Sequence, residues 1–204
     1  TVLKDLNIEG YFNITLLDAN STDNTVEIAK KFNCKILLDG ENINGFGGSI
    51  INGLKNLEKD YFCLFDGDNS FNPKDISKLI EKINLNFDFV FASRYLNNEK
   101  SEDDTIVTKL GNFFFTKLVK ILFRINTTDV LFFFVIGKKI NINNLNLQQT
   151  DFSICTEFVI KAHKNFNCIE VLSKERKRLH GVSKVNKFFD GVTILSNIIK
   201  LYLK

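Results

Sequence analysis

Residues 61–68 read YFCLFDGD, a short apolar run that ends in two aspartates separated by one glycine. Such a run has the length and composition of a buried strand. Carboxylates at positions i and i+2 directly after a strand can converge on one hard divalent cation, whose remaining ligands are then phosphate oxygens and water. We therefore predict a strand over 61–65 and a metal site for Mg²⁺ or Mn²⁺ at Asp66 and Asp68. An ordinary Asp-Gly turn is the alternative.

Working outward from this stretch, apolar runs alternate with helical patterns along much of the chain. The spacing predicts strands at 13–17, 35–38, 61–65, 87–92 and 168–172, and helices at 25–32, 50–57, 74–83, 110–123, 152–164 and 185–204. This alternation predicts an α/β protein with a mostly parallel central sheet flanked by helices. Ligands bind to such sheets at the carboxyl ends of the strands, where Asp18 and the pair Asp66/Asp68 are expected.

Composition excludes several classes of protein. The 204 residues are 44% hydrophobic and 25% charged, which is enough for a core without disulfides and excludes a disordered tail, a coiled coil or a collagen-like repeat. Four cysteines without a CxxC pair predict free thiols, and two histidines cannot form a His-rich metal site. The net charge of +3 is too small to indicate nucleic acid as a partner.

Charge is nevertheless uneven along the chain. Residues 173–204 hold eight Lys and Arg against two acidic residues, whereas residues 1–172 carry a small net negative charge. A basic end on a mildly acidic body indicates an anionic ligand or a membrane surface there. The apolar side of the predicted helix over 185–204 allows two interpretations. It could face a membrane, with Phe188, Phe189 and Ile198 toward the bilayer, or it could pack in the core.

Two other segments have candidate chemistry. Asp18 could accept hydrogen bonds from a nucleotide base or ribose, while Ser21 and its neighbours are typical caps for the helix at 25–32. The glycine-rich segment 45–48 could cradle a phosphate, but it lacks the Walker lysine and the dinucleotide spacing. A tight connection between strand and helix is the favoured interpretation of that segment.

Five segments together resemble family 2 glycosyltransferases. Residues 17–25 (LDANSTDNT) are similar to the (D)DGSTDGT signature, 44–49 (NGFGGS) to the GxGxA turn, and 65–76 (FDGDNSFNPKDI) to the DXD motif with its Pro-x-D-I. Residues 92–95 (ASRY) are similar to GSRY. Residues 178–184 (RLHGVSK) resemble the RxxGxSK of the dolichyl- and polyprenyl-phosphate sugar transferases. The order and spacing of the segments also agree with that family.

This resemblance implies a GT-A fold, a nucleotide-diphospho-sugar donor of the GDP-mannose or UDP-glucose type, and a lipid-phosphate acceptor. The implied nucleotide-binding residues are Asp18, Ser21, Asp66, Gly67 and Arg94, and the implied acceptor-phosphate residues are Arg178, Ser183 and Lys184. We expect a single domain over 1–204, with a nucleotide-sugar half (1–96), an acceptor half (97–184) and an amphipathic C-terminal helix (185–204). The expected location is the cytoplasmic face of a membrane. The sequence predicts no oligomeric state.

The expected chemistry is a direct displacement with inversion, in which Asp68 is a catalytic candidate because the metal neutralises the leaving diphosphate. A phosphate acceptor is already ionised and needs cations to orient it. A neutral sugar hydroxyl instead requires a carboxylate base, for which Asp129 and Glu157 are the candidates. Each of these two residues is equally explicable as a cap or a loop anchor.

Departures from the family pattern keep two other functions open. Phe133 and Val135 stand where a Gly and an Arg are usual, and Cys155 stands where an acidic residue or Gln is common. The family's first strand is missing, as expected for a chain cut at its N-terminus. The alternatives are a family 2 transferase that extends a cell-surface glycan from a UDP-sugar, and a truncated, inactive nucleotide-binding domain.

Overall fold

The computed structural model describes residues 2–98, 101, 105–177 and 188–204. The strands are β1 Thr15–Asp18, β2 Lys35–Leu38, β3 Tyr61–Leu64, β4 Phe89–Ser93, β5 Val135–Lys138 and β6 Cys168–Leu172. The helices are α1 Val2–Ile8, α2 Thr25–Lys31, α3 Gly45–Lys55, α4 Asp75–Asn84, α5 Ile106–Phe123, α6 Ile142–Leu145, α7 Ile154–Asn165 and α8 Phe189–Tyr202. Each predicted helix and strand is present, with its ends shifted by up to five residues.

The strands form two sheets. β1 and β2 pair in parallel, with Thr15 opposite Lys35. The larger sheet has the order β3-β5-β4-β6, in which β5 runs antiparallel to both of its neighbours and β4 is parallel to β6. The α/β class is therefore confirmed, but β5 makes the larger sheet mixed. The sequence did not predict β5 because it begins inside the continuous apolar run 130–136, which fits a buried strand or a helical turn equally well.

Helices cover both faces of the larger sheet. Along β4 the side chains alternate, so that Phe89 and Phe91 belong to one buried cluster while Val90 and Ala92 belong to another. The first cluster is filled by α5, α7 and α8, and the second by α4 together with Leu6 of α1. Because β4 is buried on both faces, it reads in the sequence as an uninterrupted apolar run.

The C-terminal helix divides its apolar residues between the core and the surface. Ile198 is fully buried, which agrees with the core interpretation and not with the membrane interpretation of this residue. Phe188 and Phe189 are exposed by 74% and 68%. In the part of the chain that the structure describes, no helix combines the length and apolar composition needed to cross a bilayer. The proposed division into two halves and a C-terminal helix stays a prediction.

The glycine-rich segment belongs to a helix. α3 begins at Gly45, five residues before the predicted start. Its first turn contains three glycines, which disfavour a helix in the sequence pattern, although packing stabilises the helix here. Gly48 N–H donates to the carbonyl of Thr150 at 3.1 Å. A β-carbon on Gly47 would lie 2.3 Å from the carbonyl oxygen of Gln149. These glycines therefore allow close approach of the backbone over 149–151, which agrees with the favoured interpretation as a tight connection.

We expect Gly47→Ala to lower the free energy of unfolding by about 1–3 kcal/mol, because the new methyl group would meet rigid backbone. Gly48→Ala is the matched control, since its methyl group would make only ordinary contact, 3.4 Å from Ile43. That control should be neutral or slightly stabilising. Urea unfolding of both variants measures the difference, and equal stability would show that the close approach at Gly47 is unimportant.

His163 is an aromatic member of the core. Its ring stacks on Phe91, with centroids 5.3 Å apart and an interplanar angle of 22°. Nε2 is buried and has no hydrogen-bond partner among the described residues. Burial lowers the pKa of His163 to about 4. The folded protein therefore holds this imidazole neutral at pH values where the unfolded chain protonates it.

This difference in pKa predicts a loss of stability in acid. Between pH 6.5 and 4 the unfolded state binds a proton at His163 that the folded state does not, so the stability contributed by this site falls as the pH falls. His163→Phe keeps an aromatic ring and removes the titration. Urea unfolding should show the variant gaining roughly 1–2 kcal/mol relative to the parent protein between pH 7.5 and pH 5. Parallel pH profiles for the two proteins would contradict this assignment.

Candidate active site

Acidic side chains lie at the carboxyl ends of β1 and β2. Asp18 ends β1, is 3% exposed, and accepts a hydrogen bond from the Ser21 backbone N–H at 2.9 Å. Asp39 follows β2 and is 7% exposed; its N–H donates to the Asp18 carbonyl at 3.0 Å. The Asp39 carboxylate also accepts hydrogen bonds from Ser49 and Asn52 of α3. The two strand ends and the start of α3 thus form one polar rim.

The predicted metal ligands occupy the loop after β3. Asp66 is exposed and Asp68 is partly buried, with one Asp68 oxygen accepting from the Ser70 N–H at 2.8 Å. This hydrogen bond closes a turn over residues 68–70, two residues after Asp66. A β-carbon on Gly67 would meet nothing within 4 Å, so the glycine is not required by packing.

Cys155, at the start of α7, lies near three carboxylates. Burial raises the pKa of its thiol to about 12, and the charges of Asp66, Asp129 and Asp151 act in the same direction. The side chain is 6% exposed. The thiol therefore stays protonated at physiological pH and is not a nucleophile. Its electrostatic surroundings indicate that the loop after β3, the segment before β5 and the start of α7 face one another.

Arg94, directly after β4, is bound by two carboxylates. Its Nε and one terminal nitrogen donate to the two oxygens of Asp129 at 2.7 and 3.0 Å, and its backbone N–H donates to the same residue at 3.2 Å. The other terminal nitrogen donates to Glu175 at 3.1 Å. Burial opposes the charge on Arg94, but these two carboxylates outweigh it and raise its pKa well above the usual range. Asp129 is 1% exposed, so this is a buried ion pair.

The Glu170 carboxylate holds the segment that precedes Asp129 in the sequence. Glu170 of β6 accepts from the Thr127 hydroxyl at 2.6 Å and from both the N–H and the hydroxyl of Thr128. The Thr128 hydroxyl also contacts the Ser93 hydroxyl at 2.6 Å. Residues 127–128 are consequently fixed to the end of β4 and the middle of β6, next to Asp129 and its contact with Arg94.

Glu157 of α7 is 1% exposed and anchors the loop before that helix. One oxygen accepts from the N–H groups of Gln148 and Gln149 at 3.0 and 2.9 Å, and the other accepts from Lys161 at 2.7 Å. Of the two functions weighed from the sequence, this geometry matches the loop anchor. The catalytic assignments of Glu157 and Asp129 stay predictions.

The basic C-terminal segment begins beside the loop after β3. Arg176 N–H donates to the Ser70 carbonyl at 2.8 Å, and its guanidinium donates to Asn69 and to the Phe71 carbonyl. Arg176 thus anchors the start of the basic segment to residues 69–71. Arg178, Ser183 and Lys184, the predicted acceptor-phosphate residues, lie outside the described residues.

This arrangement of a carboxylate pair, a buried arginine and a basic segment can be compared with known proteins. The sequence profile of glycosyl transferase family 2 matches residues 3–144. The chain belongs to glycosyltransferase family 2. The predicted family and enzyme class are therefore confirmed.

Two relatives in family 2 cover nearly all of the chain. A UDP-N-acetylglucosamine–dolichyl-phosphate N-acetylglucosaminyltransferase from Methanococcus voltae is 28% identical over 98% of the chain and 89% of its own length. A dolichol-phosphate mannosyltransferase from Pyrococcus furiosus is also 28% identical over 98% of the chain, which spans 56% of that longer protein.

The fold of this family 2 chain is that of a solved glycosyltransferase. Glucosyl-3-phosphoglycerate synthase from Mycobacterium tuberculosis, in complex with phosphoglyceric acid, superposes with a TM-score of 0.75 over 98% of this chain and 73% of that chain. The sequence identity is 12%, so the likeness concerns the fold alone. It confirms the predicted GT-A fold.

The residues present fit a divalent cation. Asp66 and Asp68 offer only carboxylate oxygens, the ligands preferred by Mg²⁺ and Mn²⁺. Among the described residues no group of three or more His, Cys, Asp or Glu side chains could hold a metal. A two-carboxylate site therefore leaves most coordination positions for phosphate oxygens and water, as suits a cation that binds together with a nucleotide diphosphate.

Sequence reasoning missed Asp39, Glu170 and Glu175. Asp39 follows a predicted strand just as Asp18 does, so the rule that selected Asp18 could have found it. Glu175 meets Arg94 across 81 positions, and Glu170 meets Thr127 across 43. No pattern in the local sequence indicates either of those contacts.

The buried pair predicts a large effect of Asp129→Asn. Neutralising Asp129 leaves the Arg94 guanidinium buried with incomplete compensation, and we expect a loss of about 3–5 kcal/mol in the free energy of unfolding. Glu58→Gln is the control, because it breaks the exposed ion pair with Lys35. Urea unfolding should show no measurable loss for that control. Similar stabilities for the two variants would mean that the Arg94 pair contributes no more than a surface pair.

Proposed function

We propose that this chain transfers a sugar from a nucleotide-diphospho-sugar to a polyprenyl or dolichyl phosphate, using a divalent cation at Asp66 and Asp68. The named activities of the two archaeal relatives support a dolichyl-phosphate acceptor. The GT-A fold and the acidic turn after β3 support a nucleotide-sugar donor. Structures of the solved neighbour with Mn²⁺ and UDP support the cation.

The observation that supports a phosphate acceptor is the hydrogen bonding of the Asp129 and Glu157 carboxylates. Each of these buried carboxylates already receives three hydrogen bonds from protein donors. A general base must instead place an oxygen within hydrogen-bond reach of the acceptor hydroxyl. Cys155, at the position where the family commonly has an acidic residue or Gln, holds a thiol that stays protonated. A phosphate acceptor needs none of these groups as a base, because it is ionised near neutral pH.

The chain's own residues would then bind the donor and the acceptor and orient them toward each other. Asp18, Ser21 and Asp39 form the rim that would accept hydrogen bonds from the base and ribose. When bound, the cation would neutralise charge that develops on the leaving diphosphate. Arg94 holds Asp129 and Glu175 in place, and the segment that begins at Arg176 brings Arg178, Ser183 and Lys184 next in sequence as cations and donors for the acceptor phosphate. The setting would be the cytoplasmic surface of a membrane.

Titration calorimetry of the donor tests this function first. UDP-glucose, UDP-N-acetylglucosamine and GDP-mannose are titrated with Mn²⁺ or with EDTA. We expect one of them to bind in a metal-dependent manner, and Asp66→Asn/Asp68→Asn to weaken that binding by about tenfold or more. Asp60→Asn is the matched control, because this exposed aspartate precedes the same strand at its opposite end. Absence of binding by all three donors would contradict the proposal in favour of an inactive domain.

Transfer assays then separate the two kinds of acceptor. With a polyprenyl phosphate, Lys184→Ala should reduce kcat/KM by about tenfold or more through the lost phosphate contact. Transfer to a neutral sugar hydroxyl with Lys184 dispensable and Glu157 or Asp129 essential would instead indicate the glycan-extending alternative. Circular dichroism of the Glu157→Gln and Asp129→Asn variants must accompany the assays, because both residues anchor the fold.

A further inference from the structure

Helix α5 is apolar on both of its faces. Its inner face buries Phe115, Thr116 and Val119. Its outer face exposes large side chains, among them Leu110 by 63%, and Phe113 by 64%. An ordinary surface helix is polar on its outer side, and a helix that is apolar all round is normally covered by protein or lipid.

The amino-terminal end of α8 continues this surface. Phe188, Phe189 and Val192 are exposed by 74%, 68% and 55%. Their helix lies beside α5, because the Phe115 ring is 4.0 Å from a β-carbon built on Gly191 and the rings of Phe123 and Tyr202 are 5.9 Å apart.

These two contacts also fix the relative direction of the helices. Phe115 precedes Phe123 along α5, and Gly191 precedes Tyr202 along α8, so the helices run the same way and the amino-terminal end of α8 lies beside the middle of α5. Six side chains there form what we call the α5–α8 apolar face. They are Leu110, Phe113, Phe114, Phe188, Phe189 and Val192.

Charge around this face is mainly positive. α5 contains Lys109, Lys117 and Lys120 and no acidic residue, and the Lys117 ammonium lies 6.0 Å from the Phe113 ring centroid. Three acidic residues precede α5 at 102–104, whereas 174–187, which leads into α8, has six basic residues against one acid. Among the described residues 105–124 and 188–192, four basic residues stand against one acidic residue.

We propose that the α5–α8 apolar face docks on the surface of an anionic lipid bilayer. Aromatic and aliphatic side chains would enter the boundary between headgroups and acyl chains, while the lysines of α5 would contact anionic headgroups. A second copy of the chain fits less well, since a two-fold contact through this face would bring the positive rim against itself. The proposal rests on the proposed function, in which a lipid phosphate is drawn from a bilayer at the basic segment that precedes Phe188.

Vesicle co-sedimentation tests this docking. The protein is mixed with vesicles of phosphatidylcholine alone, or of equal parts phosphatidylcholine and phosphatidylglycerol. We expect binding to the anionic vesicles that weakens with added salt, and a partition coefficient lowered about tenfold or more by Leu110→Gln/Phe113→Gln/Phe189→Gln. Leu85→Gln/Ile140→Gln is the matched control: it also removes exposed apolar side chains, 62% and 80% exposed, and should sediment like the parent protein.

The other outcomes would overturn the proposal. These are no vesicle binding, equal binding to both vesicle types, equal loss in the control, or a parent dimer in analytical ultracentrifugation that the triple variant abolishes. Donor calorimetry on the parent protein distinguishes this failure from that of the proposed function. Donor binding without vesicle binding would disprove only the docking, whereas vesicle binding without donor binding would disprove only the transferase function.

Discussion

The buried ion pair between Arg94 and Asp129 joins three segments that are distant in the sequence. Arg94 follows β4, Asp129 precedes β5, and Glu175, the second partner of Arg94, follows β6. The Arg94 side chain is only 11% exposed, and burying its charge is costly. The guanidinium is stabilised only when the carboxylates of Asp129 and Glu175 are both correctly placed. The position of each of the three segments at the carboxyl end of the larger sheet thus depends on the other two.

Other charged side chains likewise hold loop segments in place near the site. Glu170 fixes residues 127–128 through charge-assisted hydrogen bonds, Glu157 fixes 148–149, and Arg176 fixes 69–71. In each case one charged side chain forms hydrogen bonds with backbone groups of a loop, which lacks the regular backbone hydrogen bonds of a sheet. The loops around the site are consequently held by polar contacts that specify their geometry, while the aromatic clusters on the two faces of the sheet supply the bulk of the burial.

The sequence predicted what local patterning controls. β6 was predicted with its observed bounds, and β3 with one residue too many, because an apolar run bounded by polar residues is typical of strands. The acidic residues at strand ends were located for the same reason. β5 was not predicted, since its pairing between β3 and β4 depends on residues that are more than 40 positions away. The early start of α3 was missed because glycine is a poor helix former, and only the contact with 149–151 reveals its purpose.

Long-range polar contacts have no such local signal, and they decide how the candidate site is organised. Asp129 is separated from Arg94 by 35 residues, and the sequence left it open whether it is a base or an anchor. The loop after β3 and the basic segment are likewise joined directly, through Ser70 and Arg176. A shift of the loop that carries Asp66 and Asp68 would therefore also displace Arg176, where the basic segment begins. In the proposed function this contact would couple the negative end of the site, which binds the donor through a cation, to the positive end, which binds the acceptor phosphate.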